Sequence, residues 1–250
     1  NTVSVTPTAA LIKDTVYHIN YPSGSFTNTG GDVSYVGTAY TFGAQVKQRQ
    51  MWVWGYNGQG ALGQNTAGDG TYVSSPVQVP GTTWSSLGIS ANVATATKTD
   101  GTLWSWGYNG DGSLGQGNKT QYSSPTQIGT DTTWTTTEDK VKRSMNYGAA
   151  FLKTDGTLWA WGRNTYGELG INQGPAQVYA ASSPCQVGTD TTWSVASCMR
   201  SGIAALKTDG TLWTWGRGRY GFTGHNSEID YSSPTQLPGT DWRTVSGAYG

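Results

Sequence analysis

The sequence predicts an all-β fold made mainly of four tandem copies of one unit of about 52 residues. The first observation is a run that occurs four times: Met51-Trp52-Val53-Trp54-Gly55, Leu103-Trp104-Ser105-Trp106-Gly107, Leu158-Trp159-Ala160-Trp161-Gly162 and Leu212-Trp213-Thr214-Trp215-Gly216. The second is a shared continuation after each run. A glycine-rich stretch leads to Ser-Ser-Pro, ending at Pro76, Pro125, Pro184 and Pro234, and then to a lone tryptophan at Trp84, Trp134, Trp193 and Trp242. These positions account for all 12 tryptophans of the 250-residue chain. The third is composition. Glycine reaches 36 residues and charged residues only 12%, about half the usual share, which favours turn-dense β structure.

Within one copy the elements can be read in order. Residues 204–215 alternate as two strands around Asp209-Gly210, a pair suited to a two-residue hairpin turn with positive φ at both central positions. The same pair recurs at Asp100-Gly101 and Asp155-Gly156, and Lys47-Gln48-Arg49-Gln50 replaces it in the first copy. A third strand comes after the Ser-Ser-Pro, as in Pro184-Cys185-Gln186-Val187. A fourth carries the lone tryptophan, as in Thr192-Trp193-Ser194-Val195. Four strands per copy is the content of one β-propeller blade. Strand periodicity places Trp104 and Trp106 on one face and Leu103 and Ser105 on the other.

The repeats are bounded at approximately 43–91, 92–145, 146–201 and 202–250. Residues 1–42 lack the pattern and read as a small N-terminal β segment, with a strand or strand pair over 9–19 and another over 32–40. Its apolar residues Leu11, Ile12, Val16, Tyr17 and Ile19 make it a candidate attachment or oligomerisation segment, because an open strand edge invites pairing.

Composition also narrows function. Fifteen Lys plus Arg balance fifteen Asp plus Glu, so no basic stripe points to nucleic acid. No apolar run reaches the length of a membrane span. Cys185 and Cys198 make no disulfide framework, and their redox state stays open. His18 and His225 lie far apart, with no zinc-ligand spacing and no Ser-His-acid or Cys-His set, so neither a catalytic centre, a metal site nor a cofactor is expected. Gly58-Gln59-Gly60-Ala61-Leu62-Gly63 and Gly110-Asp111-Gly112-Ser113-Leu114-Gly115 spell a dinucleotide fingerprint, but no helical pattern comes after either, which makes them turns. Tryptophans spread three per copy read as packing between blades.

The element Leu-Trp-x-Trp-Gly-x-Asn-x-x-Gly-x-Leu-Gly, preceded by Lys-Thr-Asp-Gly-Thr, resembles the regulator-of-chromosome-condensation repeat in its bacterial and phage form, over about residues 43–249. The resemblance implies a β-propeller. With four copies, the object is a closed four-bladed ring, an open arc, or a fragment of a longer chain. It also implies a non-enzymatic structural or binding protein. The expected setting is a virion decoration or fibre component, or a surface-displayed adhesion module. Its partners would be other subunits of that assembly, or a host-surface protein or glycan, and its location the virion or the cell surface. A secreted bacterial module binding protein or glycan is the alternative. A guanine-nucleotide-exchange factor, like the family's founding member, ranks below both, since no basic tail is present.

Departures from the repeat mark candidate contact loops, because insertions go to loops. One is the charged insertion with Glu138, Asp139, Lys140, Lys142 and Arg143. The other is the altered fourth copy with Arg217, Arg219, Tyr220, Phe222 and His225, where Thr223 replaces the usual Leu.

Overall fold

The computed structural model describes residues 16–19, 40–43 and 50–246, without 69, 91, 138–140 and 143–146. Contacts divide the chain into two compact units, Asn1–Gln48 and Arg49–Gly250. In the first, β1 (Val16–Ile19) pairs antiparallel with β2 (Tyr40–Gly43), Val16 opposite Gly43. Val16, Tyr17 and Ile19 therefore lie on a paired strand, whereas Leu11 and Ile12 lie outside the described residues.

The second unit is a series of antiparallel sheets. A two-stranded sheet holds β3 (Trp52–Tyr56) and β4 (Tyr72–Gln78). A four-stranded sheet runs in order through β5 (Trp84–Ile89), β6 (Val93–Lys98), β7 (Leu103–Gly107) and β8 (Tyr122–Gln127). The short strand β9 (Val141–Lys142) comes next in the chain. A third sheet holds β10 (Gly148–Leu152), β11 (Leu158–Arg163) and β12 (Ala180–Gln186), and Trp134 bridges to it at Lys153. The last holds β13 (Trp193–Met199), β14 (Gly202–Lys207), β15 (Leu212–Gly216) and β16 (Tyr231–Gln236), with β9 alongside β13 in parallel. The only helical element among the described residues is a single 3-10 turn at Arg219–Gly221.

The sheets are out of phase with the sequence repeats. Three of the lone-tryptophan segments pair with the first strand of the following copy: Trp84 lies opposite Lys98, Trp134 bridges to Lys153, and Trp193 lies opposite Lys207. A blade is thus closed by a strand from the copy before it, and consecutive blades are stitched together by the chain. The lone tryptophan then packs on the paired tryptophans two strands away. Trp84 contacts Trp104 and Trp106, Trp134 contacts Trp159 and Trp161, and Trp193 contacts Trp213 and Trp215, with ring centroids 5.9 to 6.4 Å apart. In two sheets the intervening strand places an alanine there, Ala96 opposite Trp104 and Ala205 opposite Trp213, whereas the third places Phe151 opposite Trp159. Lys98, Lys153 and Lys207 lie over two rings of their triads, within cation–π range.

The Asp-Gly hairpins differ from the two-residue turn expected. Only the glycine takes positive φ, 81° at Gly101 and Gly156 and 79° at Gly210. Lys98 N–H donates to the Thr102 carbonyl and Gly101 N–H to the Lys98 carbonyl, so the loop has a third residue, Thr99. The reason is the aspartate. Asp100 Oδ1 accepts from both the backbone N–H and the hydroxyl of Thr102, at 3.0 and 2.7 Å, and Thr102 Oγ1 accepts the Trp104 indole N–H at 2.8 Å. The same relay joins Asp155, Thr157 and Trp159, and Asp209, Thr211 and Trp213.

Neighbouring blades meet through one recurring junction. Trp106, Trp161 and Trp215 are fully buried, and their indole N–H groups donate to the carbonyls of Ala61, Ser113 and Glu168 in the glycine-rich loop of the preceding blade. Leu103 and Ser105, on the opposite face from the tryptophans, are buried too, because a middle blade is covered on both sides. The loop itself is held by an asparagine. Asn57, Asn109 and Asn164 each accept from the N–H of the buried Leu62, Leu114 and Leu169 at 3.0 Å. The fourth copy has Gly218 there, with no side chain to hold the loop; its N–H donates to Asp230 Oδ1, where Asn57 and Asn164 donate theirs to the carbonyls of Thr71 and Tyr179.

Candidate partner-binding site

Residues of the third and fourth copies frame a concavity of about 290 Å³ lined by Tyr147, Arg163, Tyr166, Glu168, Arg200, Ser201 and Arg217. Arg163 ends β11 and Arg217 comes directly after β15, at the same position of the repeat, so both guanidiniums emerge on one side. Arg163 forms an ion pair with Asp111 at 2.7 Å and stacks over the Tyr147 ring at 3.8 Å. Arg217 lies over the Tyr166 ring at 4.5 Å. Arg200 stands exposed in the turn between β13 and β14.

Glu168 is the unusual member. It is buried, and desolvation pushes its carboxyl up to about 7, against the opposing pull of the Tyr166 and Glu168 backbone N–H groups and of Arg163. Its Oε2 accepts the Tyr166 N–H at 2.7 Å while its backbone carbonyl takes the Trp215 indole N–H. It therefore belongs to both the blade junction and the concavity. The concavity gathers three guanidinium groups, of which Arg163 is already paired with Asp111, and one carboxyl that titrates near neutrality, a set suited to a carboxylate-bearing ligand.

Of the residues singled out in the sequence, the structure brings only Arg217 to this concavity. Arg219 stacks on Tyr220 at 4.7 Å, both exposed, and Tyr220 contacts the half-buried Phe222 at 5.9 Å on the same loop. His225 is tied inward, 3.0 Å from Thr214 Oγ1 and 4.7 Å from the Tyr231 ring. Glu138, Asp139, Lys140 and Arg143 lie outside the described residues, and Lys142 is placed on β9 beside Ser197. Asp111, expected only as a turn residue, is an ion-pair partner. Arg163, Arg200 and Glu168 were not anticipated, since none stands out by spacing.

Known proteins share this architecture. The profile of the regulator of chromosome condensation (RCC1) repeat matches residues 100–138, 155–205 and 209–249, more than half of the chain. The chain belongs to the RCC1-repeat family. The ultraviolet-B receptor UVR8 of Arabidopsis thaliana is 25% identical over 187 residues, covering 74% of this chain and 41% of UVR8. Protein RCC2 of Homo sapiens is 32% identical over 141 residues, covering 55% of this chain and 26% of RCC2. The solved structure of Prp20p from Saccharomyces cerevisiae, described with its binding to Gsp1p and histones, superposes with a TM-score of 0.63 at 19% identity, over 76% of this chain and 46% of that one. An RCC1-type β-propeller fold is thus shown.

The chain spans less than half the length of these relatives. Some RCC1-repeat relatives are enzymes by name, such as the probable E3 ubiquitin-protein ligase HERC3 of Homo sapiens, but this chain matches only 13% of HERC3. The expectations of a virion or surface-displayed component, of virion subunits, host-surface protein or glycan as partners, and of a virion or cell-surface location are overturned. The relatives are eukaryotic proteins named as a receptor and as RCC1-type proteins, and the named partners of Prp20p are Gsp1p and histones. The misreading came from taking the repeat's bacterial and phage form as a guide to function, although a fold is shared by many functions.

Proposed function

We propose that this chain is a non-catalytic, regulatory protein-recognition module whose RCC1-type blades hold an arginine- and tyrosine-lined concavity for an acidic segment of a partner protein. The observation that carries it is the convergence of Arg163, Arg200 and Arg217 with Tyr147 and Tyr166 on one concavity, in a chain whose charges balance overall. Arginine and tyrosine are the residues enriched where protein partners bind, and a guanidinium matches a carboxylate in a two-pronged geometry. Two tyrosine rings hold two of the guanidiniums in place, which lowers the entropy lost on binding. The histone and Gsp1p binding named for Prp20p fits a family whose propellers recognise proteins.

A random-peptide array tests this reading. Enrichment of Asp- and Glu-rich sequences by the native chain, lost in Arg200→Glu/Arg217→Glu, is the expected result. Equal capture of acidic and basic sequences would refute it.

A further inference from the structure

Arg163 and Arg217 are equivalents in the repeat, yet their surroundings differ at two places. Each comes directly after the glycine that ends a Trp-x-Trp-Gly run. Each donates its backbone N–H at 2.8 Å to the carbonyl of the residue just before β10 or β14, Tyr147 for Arg163 and Ser201 for Arg217. The strands beside them pair in one register, Gly148 opposite Gly162 and Gly202 opposite Gly216. The backbone is therefore alike at both places, and the side chains make the difference.

Around Arg163 both places are filled by groups that hold a guanidinium. Its guanidinium lies 3.8 Å over the Tyr147 ring, and that ring also touches Tyr108, the counterpart of Arg163 one copy earlier, with centroids 5.9 Å apart. Asp111, from the glycine-rich loop of the preceding copy, accepts from Arg163 Nη2 at 2.7 Å. Around Arg217 the same two places carry other residues. Ser201 stands where Tyr147 does and brings no ring. Tyr166 stands where Asp111 does and brings a ring, 4.5 Å from the Arg217 guanidinium, but no carboxylate. Arg217 is half-buried, and among the described residues no carboxylate pairs with it. Arg163, Ser201 and Arg217 all line the concavity. It opens where the repeat exchanges a ring for a serine and a carboxylate for a ring.

We propose that the concavity takes an aromatic side chain with a carboxylate beside it, the Tyr or Phe of an acidic segment next to its Asp or Glu. The ring sits over Ser201 between Arg163 and Arg217, as Tyr147 sits between Tyr108 and Arg163. The carboxylate pairs with Arg217, as Asp111 pairs with Arg163. The inference rests on the acidic-segment reading of this site and adds the residue that the segment must carry. A guanidinium attracts the face of a ring, and more so when both leave water, so a ring beside Arg217 contributes what an aliphatic side chain of similar size does not. A cavity of about 290 Å³ lies at the small end of ligand pockets, which suits one ring and its neighbour better than a long buried stretch. Arg200, exposed at the rim, is left for a further carboxylate of the same segment.

Fluorescence anisotropy on the full chain tests this with three labelled peptides that share one short frame of Asp and Glu and carry Tyr, Leu or Ala at the centre. The Tyr-centred peptide is expected to bind on the order of tenfold more tightly than the other two. Ser201→Tyr gives the fourth copy the ring that the third already has at Tyr147, on the same backbone. In that variant, shown to be folded by its melting temperature, the Tyr-centred peptide should fall to the strength of the Ala-centred one, while Ser201→Ala keeps the preference. Equal binding of the three peptides by the native chain overturns this inference and leaves the acidic-segment reading standing. So does a tyrosine preference that survives in folded Ser201→Tyr, or a Leu-centred peptide as strong as the Tyr-centred one. Binding of none of the three overturns both.

Discussion

Trp161 donates its indole N–H to the carbonyl of Ser113, 48 residues earlier in the chain, at 3.0 Å. The bond reaches across a blade boundary, and its equivalents at Trp106 and Trp215 make it the repeating fastener of the fold. Two variants separate its parts. Trp161→Phe keeps most of the ring volume and orphans the Ser113 carbonyl, and should cost about 1–3 kcal/mol. Trp161→Ala also opens a cavity in the core and should cost about 3–5 kcal/mol. Denaturant melts read both. Equal losses would mean that the buried ring adds nothing beyond its hydrogen bond.

The Asp155–Thr157–Trp159 relay predicts a smaller effect at a hairpin. Thr157→Val keeps the shape and removes both the hydroxyl donated to Asp155 and the acceptor for the Trp159 indole. A loss of about 1–2 kcal/mol in a denaturant melt is expected, a typical value for one or two hydrogen bonds. Thr157→Ser should retain most of it.

Two glycines at nearly the same φ should respond differently. Gly112 at φ 73° would place a Cβ 2.6 Å from Ser182 Cα in the next blade, and Gly221 at φ 72° has nothing within 4 Å. Gly221→Ala should cost only the strain of a left-handed residue, about 1–2 kcal/mol. Gly112→Ala adds a clash between two backbones and should be markedly worse. Thermal melts that rank them the other way would contradict the junction geometry.

Glu168 predicts a pH dependence of stability. Its carboxyl titrates at about 7 in the folded chain against an ordinary 4.5, raised by burial. Between those values the folded state binds a proton that the unfolded chain has released. Stability is therefore fully present below about pH 4.5 and falls as pH rises through about 7, by about 3 kcal/mol for this group alone. Glu168→Gln, which can still accept the Tyr166 N–H, should flatten that decline. Urea melts at pH 5 and pH 8 measure it.

The repeat, its strands and its tryptophan framework were legible in the sequence because each tryptophan recurs at a fixed place. The phase of the sheets was not. A periodic sequence looks the same wherever the unit is cut, and only pairing shows that Trp84 joins the strand after it. The hairpin type was missed because the Asp100 side chain, and not the backbone alone, sets the turn through Thr102. The candidate site was mostly hidden. Arg217 stood out as a departure from the pattern, but Arg163 and Arg200 converge with it only after three strands have paired. Glu168 occupies the same repeat position as Ala61 and Ser113, and nothing local signals that its carboxyl is buried.

The most direct test of the functional account is a calorimetric titration of an Asp- and Glu-rich peptide into the native chain and into Arg200→Glu/Arg217→Glu, over a salt series at pH 6 and pH 8. The account predicts saturable binding to the native chain that weakens with salt. Binding should be stronger at pH 6, where Glu168 is mostly protonated and no longer offsets the arginines, and at least about tenfold weaker in the charge-reversed variant. Binding of the same strength by both chains, or none by the native one at either pH, would contradict it.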